Sequence, residues 1–541
     1  MVARAKYWWK TFNSGGIQGI FAGLAAHSGQ ISVGLSQGFS AVLIPKLLET
    51  KFATVSEGSW IASLGVISNP IGALIAGSLA ECFGRRSAIA LATLPHMAGW
   101  LLIALSTNIP MLYVGRFISG IGTGMANGLY LYVSEAAAPH QRAWLASSGP
   151  VLVSFGVLMI YTLGALTTWQ RTAAISIGPA ILSLALTRML PETPAWLATR
   201  GRVEEAKESL FWLRGPGIST ENEYKELCST NVIREKEKST IIEALHSPRV
   251  WKPFLILFAF FALQQLSGIY VILFYAVTVL EDIGVKMDAY TGSVGLALVR
   301  LVASLLGVGL AGYFGRRTLA CASAFGMAVS AGGVALSMRY DVPSWIPLVC
   351  VALHVGFSMI GYLTLPWVMT SELYPLRFRG AAGGLTTSIA QLMTFAAIKT
   401  YPDMSYSIGL EATMWTFACV ALIGAAFAIT VLPETRGRSL DQIECRFSGE
   451  CEEMGGDQNP RSIVVPQPKN VTLKRFTSIT EEKHSNMVTN AFAYDNFCLD
   501  LTNENSLKTQ DELNLGKREW TPSTDTRIPV ISTILLEHAY L

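Results

Sequence analysis

Two carboxylates, Glu135 and Glu372, are each followed seven residues later by an arginine, Arg142 and Arg379, and the two pairs lie 237 positions apart. Near them in type stand two double arginines, Arg85-Arg86 and Arg316-Arg317, 231 positions apart, with Glu81 just ahead of the first. None of these residues is a nucleophile, and a guanidinium does not release its proton in the neutral range. What they can do is make and break ion pairs, each worth about 0–1 kcal/mol when exposed. A handful of such pairs biases a two-state equilibrium without freezing it. A further string, Leu190–Trp196 (LPETPAW), returns as Leu432–Arg438 (LPETRGR) at an offset of 242. Three signals in one order at nearly one spacing read as two copies of a unit, head to tail.

A second set of candidates is mostly neutral. Gln264 and Gln265 are adjacent amides, able to donate and accept at once, which suits a hydroxylated solute. Ser267 and Gly268 follow on the same face, then Tyr270 and Tyr275. About ten residues into an apolar run, amides either face a wet cavity or bond another helix. Trp367 follows Pro366, which breaks a helical ladder; its indole either stacks on a ring-shaped ligand or simply packs. Arg300 stands alone in the middle of an apolar run. There it costs on the order of 3 kcal/mol on insertion scales unless hydrated. With no intramembrane acid to pair with, it either lines a cavity or snorkels or bonds a neighbouring helix.

The elements that must position these groups follow from composition. Of 541 residues, 51% are hydrophobic and 15% charged, against roughly 25% charged in a soluble domain. Mean hydropathy is +0.40. The net charge of +3 gives no reason to expect nucleic acid as a partner; the lipid bilayer is the expected one. Apolar runs of bilayer-crossing length are expected at 25–45, 58–80, 87–106, 111–133, 146–166 and 172–190, then at 254–279, 291–311, 318–338, 345–370, 382–401 and 411–431. The chain therefore reads as an all-α polytopic membrane protein, with twelve transmembrane helices in two six-helix parallel-repeat halves. The expected segments are a cytoplasmic N-terminal stretch 1–24, halves 25–190 and 251–441, a helical cytoplasmic linker 191–250, and a disordered cytoplasmic tail 442–541. Amphipathic stretches at Arg202–Leu213 and Asn231–Ser247 suggest linker helices lying on the membrane face. Short turns holding Arg85, Arg86, Arg142, Arg316, Arg317, Arg377 and Arg379 mark the cytoplasmic side, and both termini with it.

These strings resemble the sugar porters of the major facilitator superfamily, and within them the insect facilitated trehalose/glucose group. The resemblance runs from about residue 25 to 444 and rests on Gly77–Arg86, Gly115–Gly124, Ser134–Arg142, Pro191–Leu197, Gln264–Tyr275, Pro366–Pro375 and Leu432–Glu444. It implies that Glu81, Arg85, Arg86, Glu135, Arg142, Arg316, Arg317, Glu372 and Arg379 form a cytoplasmic gate bridging the halves, thinner in the second half, where Gly312 takes the acid's place. It implies a sugar site near the bilayer midplane holding Gln264, Gln265, Tyr270, Tyr275, Arg300 and Trp367. By the same likeness Gln391 and Thr394 fall on eleventh-helix positions that are usually Trp and Asn. Tyr270 and Arg300 stand where Asn is usual, Pro150 where Gln is usual, and Gly38 near the usual place of the Asp of proton-driven members.

No carboxylate falls in the middle of an expected span, which favours uniport; His96 and His354 are the remaining titratable groups. The function expected is facilitative transport of a neutral sugar, hexose or trehalose, in the plasma membrane by alternating access. A sugar-sensing receptor signalling through residues 442–541, or a proton-coupled symporter, are the rivals. No phosphate-binding loop, zinc-ligand spacing or nucleophile–base pair is present, so neither an enzyme, a metal nor a cofactor is expected.

Overall fold

The structure, a computed structural model, describes residues 17–217, 220–225, 227, 247–285, 287–340, 342–375, 379–436, 442, 443, 446 and 447; for 127, 139, 140, 143 and 379–381 it describes the backbone alone. The Arg379 side chain, Arg377, the linker stretch 231–246 and most of the tail 442–541 thus lie outside the described residues.

The regular structure there is helical. The first part runs α1 (Ile17–His27), α2 (Gly29–Glu49), α3 (Val55–Ile67), α4 (Asn69–Phe83), α5 (Arg85–Ala104), α6 (Ile109–Met125), α7 (Asn127–Ala136), α8 (Pro139–Leu166), α9 (Trp169–Ile175) and α10 (Ile177–Arg188). Two short helices follow, α11 (Pro194–Thr199) and α12 (Val203–Arg214), the latter matching the amphipathic stretch expected at 202–213. The second part runs α13 (Pro248–Leu266), α14 (Ile269–Phe274), α15 (Ala276–Asp282), α16 (Ala289–Ala311), α17 (Arg316–Arg339), α18 (Trp345–Phe357), a π-helical turn at Ser358–Tyr362, α19 (Leu365–Leu373) and α20 (Arg379–Thr430).

Helix ends follow local chemistry. Thr54 and Glu57 form a capping box at the start of α3, and Asn108 and Asp288 accept the first free amides of α6 and α16. Gly84, at φ +99°, turns the chain between α4 and α5 in a single residue. Helix already runs from Ile17, ahead of the expected residue 25, and Gly19 and Gly23 let it dock closely on Leu213 and Leu145.

Eight stretches among the described residues are long and apolar enough to cross a membrane. The last of them, Ala382–Thr430, has 49 residues, about 74 Å of helix against a core of about 30 Å. It bends back at Gly409, at φ 82° and ψ 158°, between the two runs expected at 382–401 and 411–431. Outward faces are apolar: Leu298, Val302, Leu305 and Leu306 on α16 and Phe325 and Val329 on α17 are 49–61% exposed. So large an apolar surface calls for lipid. Within each part α2 packs on α8, α5 on α6, and α17 on α20, while α8 against α16 and α3 against α20 join the two parts.

Candidate functional site

At one end of the bundle the arginine pairs cap helices. The Arg85 side chain donates through Nε to Glu135 at 3.1 and 3.2 Å, through Nη1 to the Ala80 carbonyl at 2.7 Å, and pairs through Nη2 with Glu81 at 3.1 Å. Thr193 also donates to Glu135, to its Oε2 at 2.6 Å. The Glu192 carboxylate accepts the first backbone amides of α5, from Arg85 at 2.8 Å and Arg86 at 3.0 Å. A helix start is where a negative charge is favoured. The second part repeats this: Arg316 to Glu372 at 3.0 Å, Thr435 to Glu372 at 2.6 Å, and Glu434 accepting from the amides of Arg316 at 2.9 Å and Arg317 at 3.2 Å. The twice-used LPET string is thereby accounted for. Its Glu closes a helix N-terminus and its Thr holds the ion-pair acid.

These charges pair differently from the expectation of a network bridging the halves. Among the described residues Arg85–Glu135 lies within the first part and Arg316–Glu372 within the second. The cause is proximity, since each arginine begins the helix packed beside the one its acid ends. Among the described residues Arg85 has two carboxylate partners, Glu81 and Glu135, and Arg316 one, Glu372. Where the first part has Glu81 the second has Gly312, whose carbonyl accepts from Arg436. Arg142 and Arg317 are exposed, and Arg86 is half-buried.

Glu434 offers a test by pH. Partial burial pushes its carboxyl up, but backbone amides of Arg436, Arg316, Arg317 and Thr435 together hold it below its ordinary value. A lowered folded value means stability that is fully present above the unfolded carboxylate's value and lost as pH falls through the folded one. Glu434→Gln is therefore expected to lower the thermal midpoint at pH 7, and that gap from the parent chain to close below about pH 4. A gap independent of pH would sink the assignment.

At mid-height the helix breaks at Gly268, whose φ of +82° ends α13 and starts α14. A Cβ there would sit 2.3 Å from the Phe417 ring, so only glycine makes this turn. A second break is the π-turn: Ser323 Oγ donates to the Phe357 carbonyl at 2.5 Å and accepts from the Tyr362 amide at 2.9 Å, serving backbone that the turn frees. Between these breaks lies a cavity of about 20 Å³, room for a water rather than for a sugar. Its lining includes Tyr161, Tyr270, Arg300 and Ser358 on otherwise apolar walls.

Of the eight residues expected to touch a ligand, Tyr270 and Arg300 line this cavity. Gln264 is fully buried and donates to the carbonyls of Tyr362 and Leu363 at 2.8 and 2.9 Å. Gln265 donates to Gln264 at 3.2 Å. The amide pair thus bonds another helix in this state. Tyr275 donates to the Ile398 carbonyl and lies against Tyr401. Trp367 packs edge-on against Phe261, centroids 5.0 Å apart. Thr394 bonds the Ala390 carbonyl of its own helix. Gln391 meets Asn69 across the two parts, its Oε1 accepting from the Asn69 side-chain amide at 3.0 Å.

Two residues went unnoticed in the sequence. Arg116, inside the Gly115–Gly124 string, is wholly buried and donates to the Ile61 carbonyl (3.1 Å), the Ser36 carbonyl (3.0 Å) and Ser40 Oγ (2.6 Å). An arginine within an apolar run was the available signal. Tyr161 donates to the Leu273 carbonyl at 2.6 Å, tying α8 to α14; nothing local distinguishes it from a packed tyrosine.

Apolar helices of bilayer-crossing length, with one arginine–carboxylate–threonine arrangement repeated in two parts, describe a duplicated integral membrane protein. The E. coli xylose transporter XylE, in the structure titled as a proton:xylose symporter bound to 6-bromo-6-deoxy-D-glucose, superposes with a TM-score of 0.68 at 23% identity, covering 79% of this chain and 99% of that one. The partially occluded inward-open form of XylE gives a TM-score of 0.66 at 23% identity over 78% of this chain and all of that one. The sequence profile of the sugar (and other) transporter family matches residues 8–447. The chain belongs to that family. Among its relatives is a facilitated trehalose transporter, Tret1, of Apis mellifera ligustica, 32% identical over 460 residues, 82% of this chain and 91% of the relative. Tret1 of Bombyx mori is 29% identical over 84% of this chain and 90% of its own length. The chain spans about half, 53%, of the longer Drosophila yakuba Tret1.

Proposed function

We propose that this chain carries a sugar down its gradient as a uniporter, by alternating access between two six-helix halves that together cross the membrane twelve times. The observation that carries the reading is the chemistry of the buried charges. Among the described residues the helix interiors hold Arg116 and Arg300 but no carboxylate beside them, and Arg116 is served by neutral oxygens alone. A proton-coupled carrier needs a group in the transport path that gains and loses a proton near neutral pH, and a guanidinium does not. His96 and His354 are buried but outside the cavity lining. The relatives' printed name, facilitated trehalose transporter, supports the same reading, while the likeness to XylE supports the fold.

The helices that complete twelve crossings are α6–α7, α9–α10 and α13–α15, each interrupted within its length, together with the two arms of α20. The arginine-rich end faces the cytoplasm, in the plasma membrane. On the opposite side Lys399 donates to Ser59 Oγ at 2.6 Å and lies over the Trp60 ring, joining the halves. Closure there, with ion pairs kept inside each half at the arginine-rich end, fits a state shut to the outside. The nine gate residues of the sequence reading are proposed to exchange partners across the halves when the carrier turns outward.

The test is uptake of labelled glucose, trehalose and glucuronate into proteoliposomes holding the purified chain, with and without an imposed pH gradient. Saturable uptake that equilibrates and ignores the gradient is expected. Accumulation driven by the gradient would overturn uniport and turn attention to His96 and His354.

A further inference from the structure

We propose that the central cavity, water-sized in the closed state described above and widened as the carrier opens, takes a sugar bearing one carboxylate, a uronate-like monoanion, in place of a neutral sugar; this rests on the sugar-carrier reading and names its cargo. Arg300 is a buried cation without a counter-charge among the described residues. It is 6% exposed and lines the cavity together with Tyr161, Tyr270 and Ser358. Its one hydrogen bond among the described residues is long, Nε to Ser154 Oγ at 3.4 Å, and Ser154 gives its own proton to the Pro150 carbonyl at 2.9 Å. The two terminal nitrogens make no hydrogen bond or ion pair among the described residues. Arg116 shows the contrast: equally buried, it fills its fork with three neutral oxygens and holds helices together. Arg300 is left with its fork toward the cavity.

A buried cation without a counter-charge is costly, and a guanidinium stays charged. Sugar hydroxyls supply dipoles but no charge. A carboxylate supplies both the charge and a planar pair of acceptors matched to the fork. One cation, with no second basic side chain among the lining residues, suits a monoanion better than a phosphate dianion. The neighbouring groups agree. The Gln264 amide, which would read neutral hydroxyls, is spent on the Tyr362 and Leu363 carbonyls. The remaining walls, among them Ile269, Ile272, Val355 and Met359, are apolar and strengthen any charge pairing within them. Tyr270, on the cavity wall, is placed to donate to the rest of a hydroxylated ring, and Ser358, whose proton goes to the Val355 carbonyl at 2.6 Å, is placed to accept from it.

The experiment uses the full chain in proteoliposomes with the membrane potential clamped, labelled D-glucuronate, D-glucose and trehalose as cargoes, and Arg300→Asn beside the parent. Expected is saturable glucuronate uptake at least tenfold faster than that of glucose, rising when the interior is made positive. Arg300→Asn should lose at least tenfold of the glucuronate rate and move toward glucose. Thermal stabilisation by glucuronate of the parent and of Arg300→Lys, but not of Arg300→Asn, separates lost binding from lost folding. Glucose or trehalose uptake indifferent to excess glucuronate would overturn the proposal and leave the sugar-carrier reading standing. Stabilisation by chloride alone, without competition by glucuronate, would overturn it too. Folded protein that neither moves nor binds any of the three would overturn both.

Discussion

Arg116→Leu is expected to abolish transport and lower the thermal midpoint of the purified protein by about 4 °C. The side chain is fully buried, and its loss leaves the carbonyls of Ile61 and Ser36 and the hydroxyl of Ser40 without their donor. Charge-assisted hydrogen bonds are worth about 1.5–3 kcal/mol each. Removing the cation's own burial cost offsets part of that, and a net loss of about 3–5 kcal/mol remains. Arg116 acts from α6 on both α2 and α3, so the damage is to the way three helices of the first half meet. Arg116→Lys keeps the charge and should recover part of the midpoint, since one ammonium cannot reach all three oxygens in the guanidinium's planar geometry. Midpoints unchanged in Arg116→Leu would mean that these bonds do not hold the helices.

The second large effect belongs to Gly124. Here α6 meets α4 and the end of α3 backbone to backbone: a Cβ on Gly124 would lie 2.0 Å from the Asn69 carbonyl oxygen, and one on Gly120 2.2 Å from that of Gly65. Small residues allow such an approach in a membrane, where packing rather than the hydrophobic effect joins helices. Gly124→Val cannot be relieved by turning a side chain, because the obstacle is backbone. Overpacking typically costs about 1–3 kcal/mol, and this site belongs at or beyond the top of that range. Asn69 also meets Gln391 across the halves, so transport should fall with stability. Gly128→Ala, one turn on, meets only the Ala76 methyl at 4.0 Å and should leave the stability within about 0.5 kcal/mol of the parent. Equal losses in both variants, read by fluorescence size-exclusion after heating, would contradict the close-approach account.

The amino-acid sequence by itself determined the class of molecule, most of its spans, the duplication and the family. Those properties are local or additive: apolar length, arginines at helix ends, the LPET string and Gly268 at a break each act where they stand. Even the thinner second set of charges was legible, because Gly312 cannot carry one. Which side chains meet was decided only by tertiary structure. Successive residues of a helix point about 100° apart, so a small rotation or slide of one helix on another turns Gln264 from the cavity to the Tyr362 and Leu363 carbonyls. Packing of other helices likewise seals Arg116 among neutral oxygens and leaves Arg300 with its fork unfilled. Whether the arginine-rich ends bridge the halves is likewise a matter of packing, since each arginine takes the acid that its neighbouring helix brings nearest.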